Sequence, residues 1–259
     1  MHPNDLGRRV FGLGAIAFGI LTVAWRDFNG WQQIDPLGHV PHRDVLAFIS
    51  AAIQLFGGLA IQWSRTERLG AITLTAIYSL FALLWLPRIA AQPLVYDPWG
   101  NLFEQSSLVA GALIVSSTTG RGAAGQPPLA ARAGYFLFGV CTISFTLEQV
   151  SILSATASFV PKWIPPGQMF WAVATTVFFA LAAIALLSGF QALLAARLTT
   201  AMIVGFQFLV WLPRPFSDPH QLMNWFGNAQ NLAIAGSAWI VADYLSRRRA
   251  PTPTPASAH

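Results

Sequence analysis

The sequence has a single cysteine, Cys141, and very few charged residues. One cysteine excludes an internal disulfide, and it also excludes the Cys-x-x-Cys chemistry of membrane thiol oxidoreductases. Charged residues make up only 10% of the 259 residues, whereas a soluble domain carries about a quarter. Hydrophobic residues make up 54%, and the mean hydropathy is +0.53. The sequence therefore predicts an integral membrane protein, with the lipid bilayer as its main partner.

The net charge of +5 does not indicate nucleic-acid binding. A nucleic-acid interface needs basic residues gathered in one patch, often with interleaved aromatic residues. Here the basic residues stand mostly singly or in pairs between apolar segments, as residues that set membrane topology do. We therefore exclude nucleic acid as a partner.

Eight segments are candidates for membrane-spanning helices. A span needs roughly 20 mainly apolar residues, and all eight qualify when their mildly polar ends are included. The eighth is the most polar of them. An even number of spans places both chain ends on the same side of the membrane. The segments are 9–25, 44–63, 69–87, 101–118, 133–153, 168–189, 195–213 and 226–245.

Basic residues and tryptophans predict the orientation of these spans. Ten basic residues lie on the side of the termini and five on the other side, so the positive-inside rule places both termini in the cytoplasm. Seven tryptophans fall near the opposite, outer interface, where indole rings anchor helices. They are Trp25, Trp31, Trp85, Trp99, Trp163, Trp211 and Trp225.

The tetrapeptide Trp-Leu-Pro-Arg occurs twice, at 85–88 and at 211–214, 126 positions apart. Similar landmarks follow each copy in the same order and at nearly constant offset, which indicates an internal duplication. With four spans in each copy, the two halves have the same orientation. We expect an all-α, polytopic membrane bundle made of two parallel four-helix repeats. The landmarks are Pro93 and Pro219, Trp99 and Trp225, Gly100-Asn101 and Gly227-Asn228, and Ala112–Val115 and Ala238–Val241.

These signals divide the chain into four parts. Residues 1–118 form the first four-span unit and residues 132–246 the second. Residues 119–131, rich in glycine and proline, are predicted to be a cytoplasmic linker. Residues 247–259, with the run Ala-Pro-Thr-Pro-Thr-Pro, are predicted to be a disordered cytoplasmic tail.

The sequence resembles the DoxX-like membrane proteins, a superfamily that includes DoxD-type and MauE-type subunits and the Surf-type cargo receptors. The resemblance rests on the small residues Gly14 and Gly19 in the first span and on the two Trp-Leu-Pro-Arg segments. It also rests on Val-Pro-Lys-Trp-Ile-Pro at 160–165, before a span that opens with Phe170-Trp171. It covers nearly the whole chain as two units in tandem.

The resemblance implies a multi-pass protein of the bacterial inner (plasma) membrane. Members of this superfamily include subunits tied to thiosulfate–quinone oxidation and to methylamine utilisation. Many members have a His-aromatic pair near the end of the first helix of a unit. This chain has Leu21-Thr22-Val23 and Leu147-Glu148-Gln149 at the comparable positions. The resemblance therefore does not extend to an activity that needs that histidine.

Glu148 is the most informative single residue for a ligand site. It lies deep in an apolar segment, where an ionisable side chain costs about 2.5–3.5 kcal/mol. Two interpretations stay open. In the first, Glu148 binds a ligand together with Gln149. In the second, Glu148 lies near the outer end of its span, where it is hydrogen-bonded to a neighbouring helix or accessible to water.

Arg88 and Arg214 follow the two prolines of the repeated tetrapeptide and form a second set of candidates with Trp85 and Trp211. Each guanidinium suits a carboxylate or an anionic head group. The alternative is that each arginine extends to the interface beside its tryptophan.

Glu104 and Asn231 occupy comparable depths in the fourth and eighth spans. We expect Glu104 to pair with Arg88. In the second half Gln230 and Asn231 are neutral, so Arg214 lacks such a partner and is available to a ligand anion. This difference predicts one structural half and one functional half.

The remaining residues suggest neither a metal site nor catalysis. His39, His42 and His220 fall in predicted outer loops, so none can ligate a haem inside the membrane. The sequence has no self-sufficient catalytic constellation, which leaves open a non-catalytic subunit of a membrane oxidoreductase. No cofactor is identifiable apart from a bound quinone or lipid.

Two functions compete on this basis. In the first, the chain binds a quinone, a lipid or a similar amphipathic ligand at its outer face and supports a redox or other membrane-associated protein partner. In the second, it is a transporter or receptor for a small apolar or anionic ligand. The predicted pocket lies between the two units, near Glu148, Arg88 and Arg214.

Overall fold

The computed structural model describes residues 5–26, 41–120 and 128–249, and every regular element within them is helical. A five-residue π-helical turn, Gln207–Trp211, follows α9. The helices are α1 (Leu6–Trp25), α2 (Arg43–Ala60), α3 (Glu67–Leu83), α4 (Leu86–Ala91), α5 (Asp97–Thr118), α6 (Leu129–Ser151), α7 (Leu153–Phe159), α8 (Gln168–Ser188), α9 (Ala192–Phe206), α10 (Arg214–Ser217) and α11 (Leu222–Arg249).

Six helical segments of the described chain are long and apolar enough to cross a membrane, which fits a multi-pass membrane protein. Continuous segments run through α3 and α4 and through α9 and α10. The segments are Leu6–Trp25, Arg43–Ala60, Glu67–Ala91, Leu129–Ser151, Gln168–Ser188 and Ala192–Ser217. The fourth and eighth predicted spans correspond to α5 and α11, which are not among these six.

Helices α5 and α11 lie at the centre of the bundle, which explains why they are more polar than the other long helices. Both lie against several neighbours: α5 packs on α3, α6 and α11, and α11 packs on α1, α9 and α5. Their polar side chains meet each other, since Ser237 Oγ donates to the Ser107 carbonyl at 2.5 Å and Gln105 Nε2 donates to Gln230 Oε1 at 3.4 Å. Surrounding helices shield these groups from lipid, so α5 and α11 can carry them.

The long helices have the same order of neighbours in the two halves of the chain. In the first half α1 packs on α2, α2 on α3, and α3 on α5. In the second half α6 packs on α8, α8 on α9, and α9 on α11. The contacts between α5 and α6 and between α11 and α1 close the ring.

Small residues bring α1 and α11 together more closely than ordinary side chains permit. A Cβ atom on Gly14 would lie 2.7 Å from the Cβ atom of Ala233, and one on Gly7 would lie 2.9 Å from the backbone nitrogen of Ile240. A Cβ atom on Gly236 would meet the backbone of Phe11. The two halves are therefore joined by backbone-to-backbone packing of the kind that small residues allow in membrane helices.

The tryptophan end of the bundle, which holds Trp25, Trp99, Trp171, Trp211 and Trp225, has a recurring hydrogen bond. At the start of α5, Trp99 Nε1 donates to the carbonyl of the proline six residues earlier, at 3.1 Å. Trp171 and Trp225 make the same bond at 2.9 Å at the starts of α8 and α11. Two of these pairs are landmarks of the sequence repeat, so part of the repeat fixes how chain segments enter helices.

The repeated tetrapeptide forms a helix junction in each half. Trp85 ends the turn after α3, and Pro87 lies in the first turn of α4, where a missing N–H costs nothing. Pro213 caps α10 after the π-helical turn. The junction is tighter in the first half, since Trp85 is fully buried whereas Trp211 is half-buried.

Two predicted boundaries differ from the observed helices. Helix α6 begins at Leu129, inside the segment predicted to be a linker, because the apolar pattern continues to that point. Helix α11 continues through Arg249, so residues 247–249 are helical rather than part of a tail. Residues 121–127 of the linker, residues 250–259 of the tail and the loop with Trp31 and His39 lie outside the described residues.

The opposite end of the bundle, called here the basic end, contains a buried arginine, Arg8. Its Nη1 atom contacts Glu67 Oε2 at 2.8 Å and donates to the Ile61 carbonyl at 2.5 Å. Asp5 lies 3.5 Å from Nη2. The arginine of α1 thus connects the end of α2 to the start of α3.

Candidate functional site

A cavity of about 300 Å³ lies in the second half of the bundle, among α6, α8, α9 and α11. Apolar side chains form most of its wall, and a few polar groups converge on it, which is the usual composition of a small-molecule site. Two of these polar residues, Glu104 and Asn231, belong to the central helices α5 and α11. The full set is Glu104, Glu148, Gln149, Thr156, Thr175 and Asn231.

Helix α7 and the Val-Pro-Lys-Trp-Ile-Pro segment that follows it, residues 160–165, cover this cavity. Thr156 and Phe159 of α7, followed by Val160, Pro161 and Ile164, form one wall. Two bonds hold this cover onto α8, since Gln168 Nε2 donates to the Val160 carbonyl at 2.5 Å and Trp171 Nε1 donates to the Pro165 carbonyl. The Val-Pro-Lys-Trp-Ile-Pro segment therefore shapes the cavity.

Glu148 lies at the end of α6 with its carboxyl group against the backbone of α5. A Cβ atom on Gly100 would come within 3.2 Å of the Glu148 carboxyl carbon, so the glycine makes room for it. Glu104 and Asp97 of α5 lie close enough to interact electrostatically with Glu148. In the described part of the chain, no hydrogen-bond donor or cation pairs with the Glu148 carboxyl group.

Gln149 is oriented by two threonines of α8. Its Oε1 atom accepts hydrogen bonds from Thr176 Oγ1 at 2.9 Å and from Thr175 Oγ1 at 3.3 Å. Each hydroxyl has a single proton and also lies within hydrogen-bond distance of an α8 backbone carbonyl, so the two threonines position the Gln149 amide without deciding which of its atoms is free. The structure thus places a fixed amide next to the Glu148 carboxylate on the cavity wall.

Asn231 and Asn228 of α11 add side-chain hydrogen bonds to the backbone around the π-helical turn. The Ile203 carbonyl keeps its helical partner, the Gln207 N–H, and accepts a second bond from Asn231. Asn231 Nδ2 donates to the Ile203 carbonyl at 3.1 Å and to Gln207 Oε1 at 2.8 Å, while Asn228 Nδ2 donates to the Trp211 carbonyl at 2.5 Å. At the same repeat offset as Gln207 the first half has Phe81, so this polar network belongs to the second half.

Arg214 lies over two aromatic rings at the edge of the cavity. Its guanidinium carbon is 4.5 Å from the ring centroid of Phe159 and 5.2 Å from that of Trp211. These rings separate the first cavity from a second one of about 270 Å³, which Arg214 lines together with Glu104 and Asn231. A cation of the second half thus shares a cavity with a carboxylate of the first half.

The position of the Trp211 ring depends on Gly227, because a Cβ atom there would overlap the ring. We expect Gly227→Ala to displace the indole and move its fluorescence emission to longer wavelength, since the ring loses a buried contact. The measurement compares emission spectra with and without Gly227→Ala, in the wild type and in Trp211→Phe. A shift of equal size in both backgrounds would contradict this assignment. Gly205→Ala, with open space around its Cβ position, is the matched control.

The structure brings six of the eight sequence-predicted site residues together. Arg88 and Trp85 are the exceptions and line neither cavity. Arg88 lies over the Trp85 ring, at 5.7 Å from its centroid. The six are Glu104, Glu148, Gln149, Trp211, Arg214 and Asn231.

The expected pair between Glu104 and Arg88 is not among the ion pairs of the described residues. Glu104 instead accepts a hydrogen bond from Gln230 Nε2 at 3.4 Å. The reason is the packing of α5 against α11, which directs Glu104 towards the second half. Glu104 therefore lines the same cavity as Arg214, the residue that was predicted to lack an acidic partner.

Sequence reasoning missed Phe159, Gln207 and Asn228. A phenylalanine in an apolar sequence carries no signal that separates a cavity wall from a lipid-facing surface. Gln207 had a detectable signal, since a glutamine inside a predicted span and opposite Phe81 in the repeat is costly unless it has a polar partner.

No group of three or more His, Cys, Asp or Glu side chains within the described ranges is arranged to hold a metal ion. In comparisons with known proteins, no family model matches the chain, and no curated protein or solved structure gives a significant match. The resemblance to the DoxX-like proteins therefore stays a prediction from the sequence.

Proposed function

We propose that the protein is a DoxX-like integral membrane subunit that binds a quinone, a lipid or a similar amphipathic molecule at its outer face and supports a redox partner. The observation that carries this proposal is the apolar cavity of about 300 Å³ with Glu104, Glu148 and Asn231 on its wall. This volume is at the lower end of the range for small-molecule sites.

The proposal includes eight spans arranged as two parallel four-helix units. The lengths of α5 and α11 support it, because 22 and 28 helical residues extend about 33 and 42 Å. The hydrocarbon core of a bilayer is about 30 Å thick. The equal order of helix neighbours in the two halves also supports a duplication.

We further propose that the tryptophan end faces outwards and that the basic end, with both termini, faces the cytoplasm of a bacterial inner membrane. The indole rings of Trp25 and Trp225 lie 6.3 Å apart at the first of these ends. Arg8 and Arg247 line a cavity at the second. This distribution agrees with the positive-inside rule and with aromatic anchoring at the interface.

Blocking the cavity tests the binding function. We expect Thr175→Phe, which adds an aromatic ring to the cavity wall, to weaken binding of the probe decylubiquinone at least tenfold. It should also reduce the lipid or quinone that co-purifies with the protein. Quenching of tryptophan fluorescence measures the first effect, since Trp171 and Trp211 line the cavity, and mass spectrometry measures the second.

Val177→Phe is the matched control, because Val177 lies on the same helix and is 51% exposed on the outside of the bundle. Equal binding by both variants would refute the assignment of the cavity. Quinone-dependent redox activity in purified membranes tests the redox part of the proposal.

The alternative function is a transporter or receptor for a small apolar or anionic ligand. One observation favours it: the two cavities adjoin each other and share Phe159 and Trp211 as a common wall. A ligand passing between them would move past Arg214. Bound lipid in mass spectra without any quinone-dependent redox activity would support this alternative over the redox subunit.

A further inference from the structure

The wall of the 300 Å³ cavity restricts the chemistry of the ligand's head group, and this step rests on the proposed binding function. Six aromatic rings line the cavity. The face of an aromatic ring carries partial negative charge and attracts cations, most strongly where water is excluded. The rings belong to Phe145, Phe159, Trp171, Phe179, Phe206 and Trp211.

Two carboxyl groups face the same space from different helices. Glu104 comes from α5 and Glu148 from α6, and they lie close enough to repel each other. Asp97 adds a third negative charge nearby. Glu104 has a neutral amide, that of Gln230, as its hydrogen-bond donor. Mutual repulsion in an apolar environment is relieved when a positive charge lies between the two groups.

The described lining of this cavity contains no lysine, arginine or histidine. Arg214 lies at its border, with its guanidinium on the faces of Phe159 and Trp211. Two aromatic rings of this wall thus already bind a cation of the protein, the Arg214 guanidinium. Glu148 lines this cavity only, and Glu104 lines both cavities, so the two carboxyl groups face space that a positive charge from outside the chain can enter.

We propose that the cavity binds an ammonium group carried on an apolar body, with the nitrogen between Glu104 and Glu148 and the apolar part against the rings. An anionic head group would lie beside two acidic groups and find no cation in the described lining of this cavity. The ammonium group comes either from the head group of an ethanolamine or choline lipid or from a free alkylammonium compound. Both sources supply the same chemistry.

Three probes that share a phenylpropyl group test this inference. They are the cation 3-phenylpropyltrimethylammonium, the neutral 4-phenylbutanamide and the anion 4-phenylbutanoate. Calorimetric titration of the full chain in a neutral detergent should show that the cation binds at least tenfold more tightly than the other two. Glu104→Gln and Glu148→Gln should each weaken binding of the cation about tenfold and leave binding of the amide unchanged.

Asp218→Asn is the matched control, since it removes a negative charge from an exposed site at the same end, outside both cavities. Equal affinities for the three probes, or an equal loss of cation affinity in all three variants, would overturn the inference.

The outcomes also separate this inference from the proposed function. If the amide or decylubiquinone binds and is blocked by Thr175→Phe while the cation does not bind, the ammonium inference fails and the binding function stands. If Thr175→Phe changes the binding of no probe, the proposed function fails as well.

Native mass spectra of protein from nanodiscs of phosphatidylethanolamine and phosphatidylglycerol distinguish the two sources of the ammonium group. Retention of the ethanolamine lipid, with its loss in Glu148→Gln, identifies a lipid head group. Binding of the cationic probe without retained ethanolamine lipid identifies a free alkylammonium compound.

Discussion

Replacing Gly236 with leucine should separate α1 from α11 and destabilise the whole bundle. A Cβ atom at this position meets the backbone nitrogen and Cα atom of Phe11, and backbone atoms cannot move aside as the end of a side chain can. Overpacking typically costs 1–3 kcal/mol, and a steric conflict with backbone lies at the upper end, about 3 kcal/mol or more. For a chain of this size we expect the melting temperature to fall by about 10 °C.

Gly205→Leu is the control for this prediction. Gly205 lies inside α9, and a Cβ atom there meets no other atom within 4 Å. The substitution removes a glycine from a helix interior, which by itself favours the helix. Thermal unfolding of both variants in the same detergent measures the difference. A melting temperature of Gly236→Leu equal to that of Gly205→Leu would show that the close contact of α1 and α11 does not hold the two halves together.

Replacing Arg8 with leucine should destabilise the protein about as strongly. Arg8 is 5% exposed and lies 2.8 Å from Glu67, so its loss leaves a carboxylate without a partner at a partly buried site. Breaking a buried ion pair by removing one partner costs about 3–5 kcal/mol. It also deprives the Ile61 carbonyl of its donor. We expect a clear fall in the melting temperature measured by thermal unfolding.

Two further variants isolate the cause. Arg68→Leu removes an exposed arginine from the same end and should leave the melting temperature nearly unchanged. The double variant Arg8→Leu and Glu67→Leu removes both charges, and we expect it to recover part of the lost stability, because two apolar side chains replace an ion pair with little net cost. If Arg8→Leu and Arg68→Leu melt at the same temperature, the buried pair has no structural role.

The candidate site could be predicted from the sequence in part. Glu148 and Glu104 were identifiable because an ionisable side chain in an apolar segment is costly and needs a reason. Arg214 and Trp211 were identifiable because they recur in a repeat. Phe159 was not, since its role depends on α7 folding back over α8, and no residue pattern in the sequence specifies that fold.

The partner of Glu104 could not be predicted from neighbouring residues in the sequence. The sequence places Glu104 and Arg88 in the same half. Glu104 lies in the fourth predicted span, which is the next span after Arg88. In the structure α5 lies between α3 and α11, so Glu104 faces Gln230 and the cavity of the other half. A different asymmetry between the halves, the π-helical turn and the polar network around Gln207, was not predicted from the sequence.

The repeated landmarks, the helical class and the membrane character follow from residue composition and spacing, because the cost of placing polar groups in lipid acts on each segment separately. The arrangement of helices around the cavity does not follow in this way. Small residues such as Gly14 and Gly236 let particular helices approach each other, and their partners lie more than 200 residues away in the chain. Only the folded bundle brings Glu104, Glu148 and Arg214 to one place, since close packing between distant segments decides which polar side chains meet.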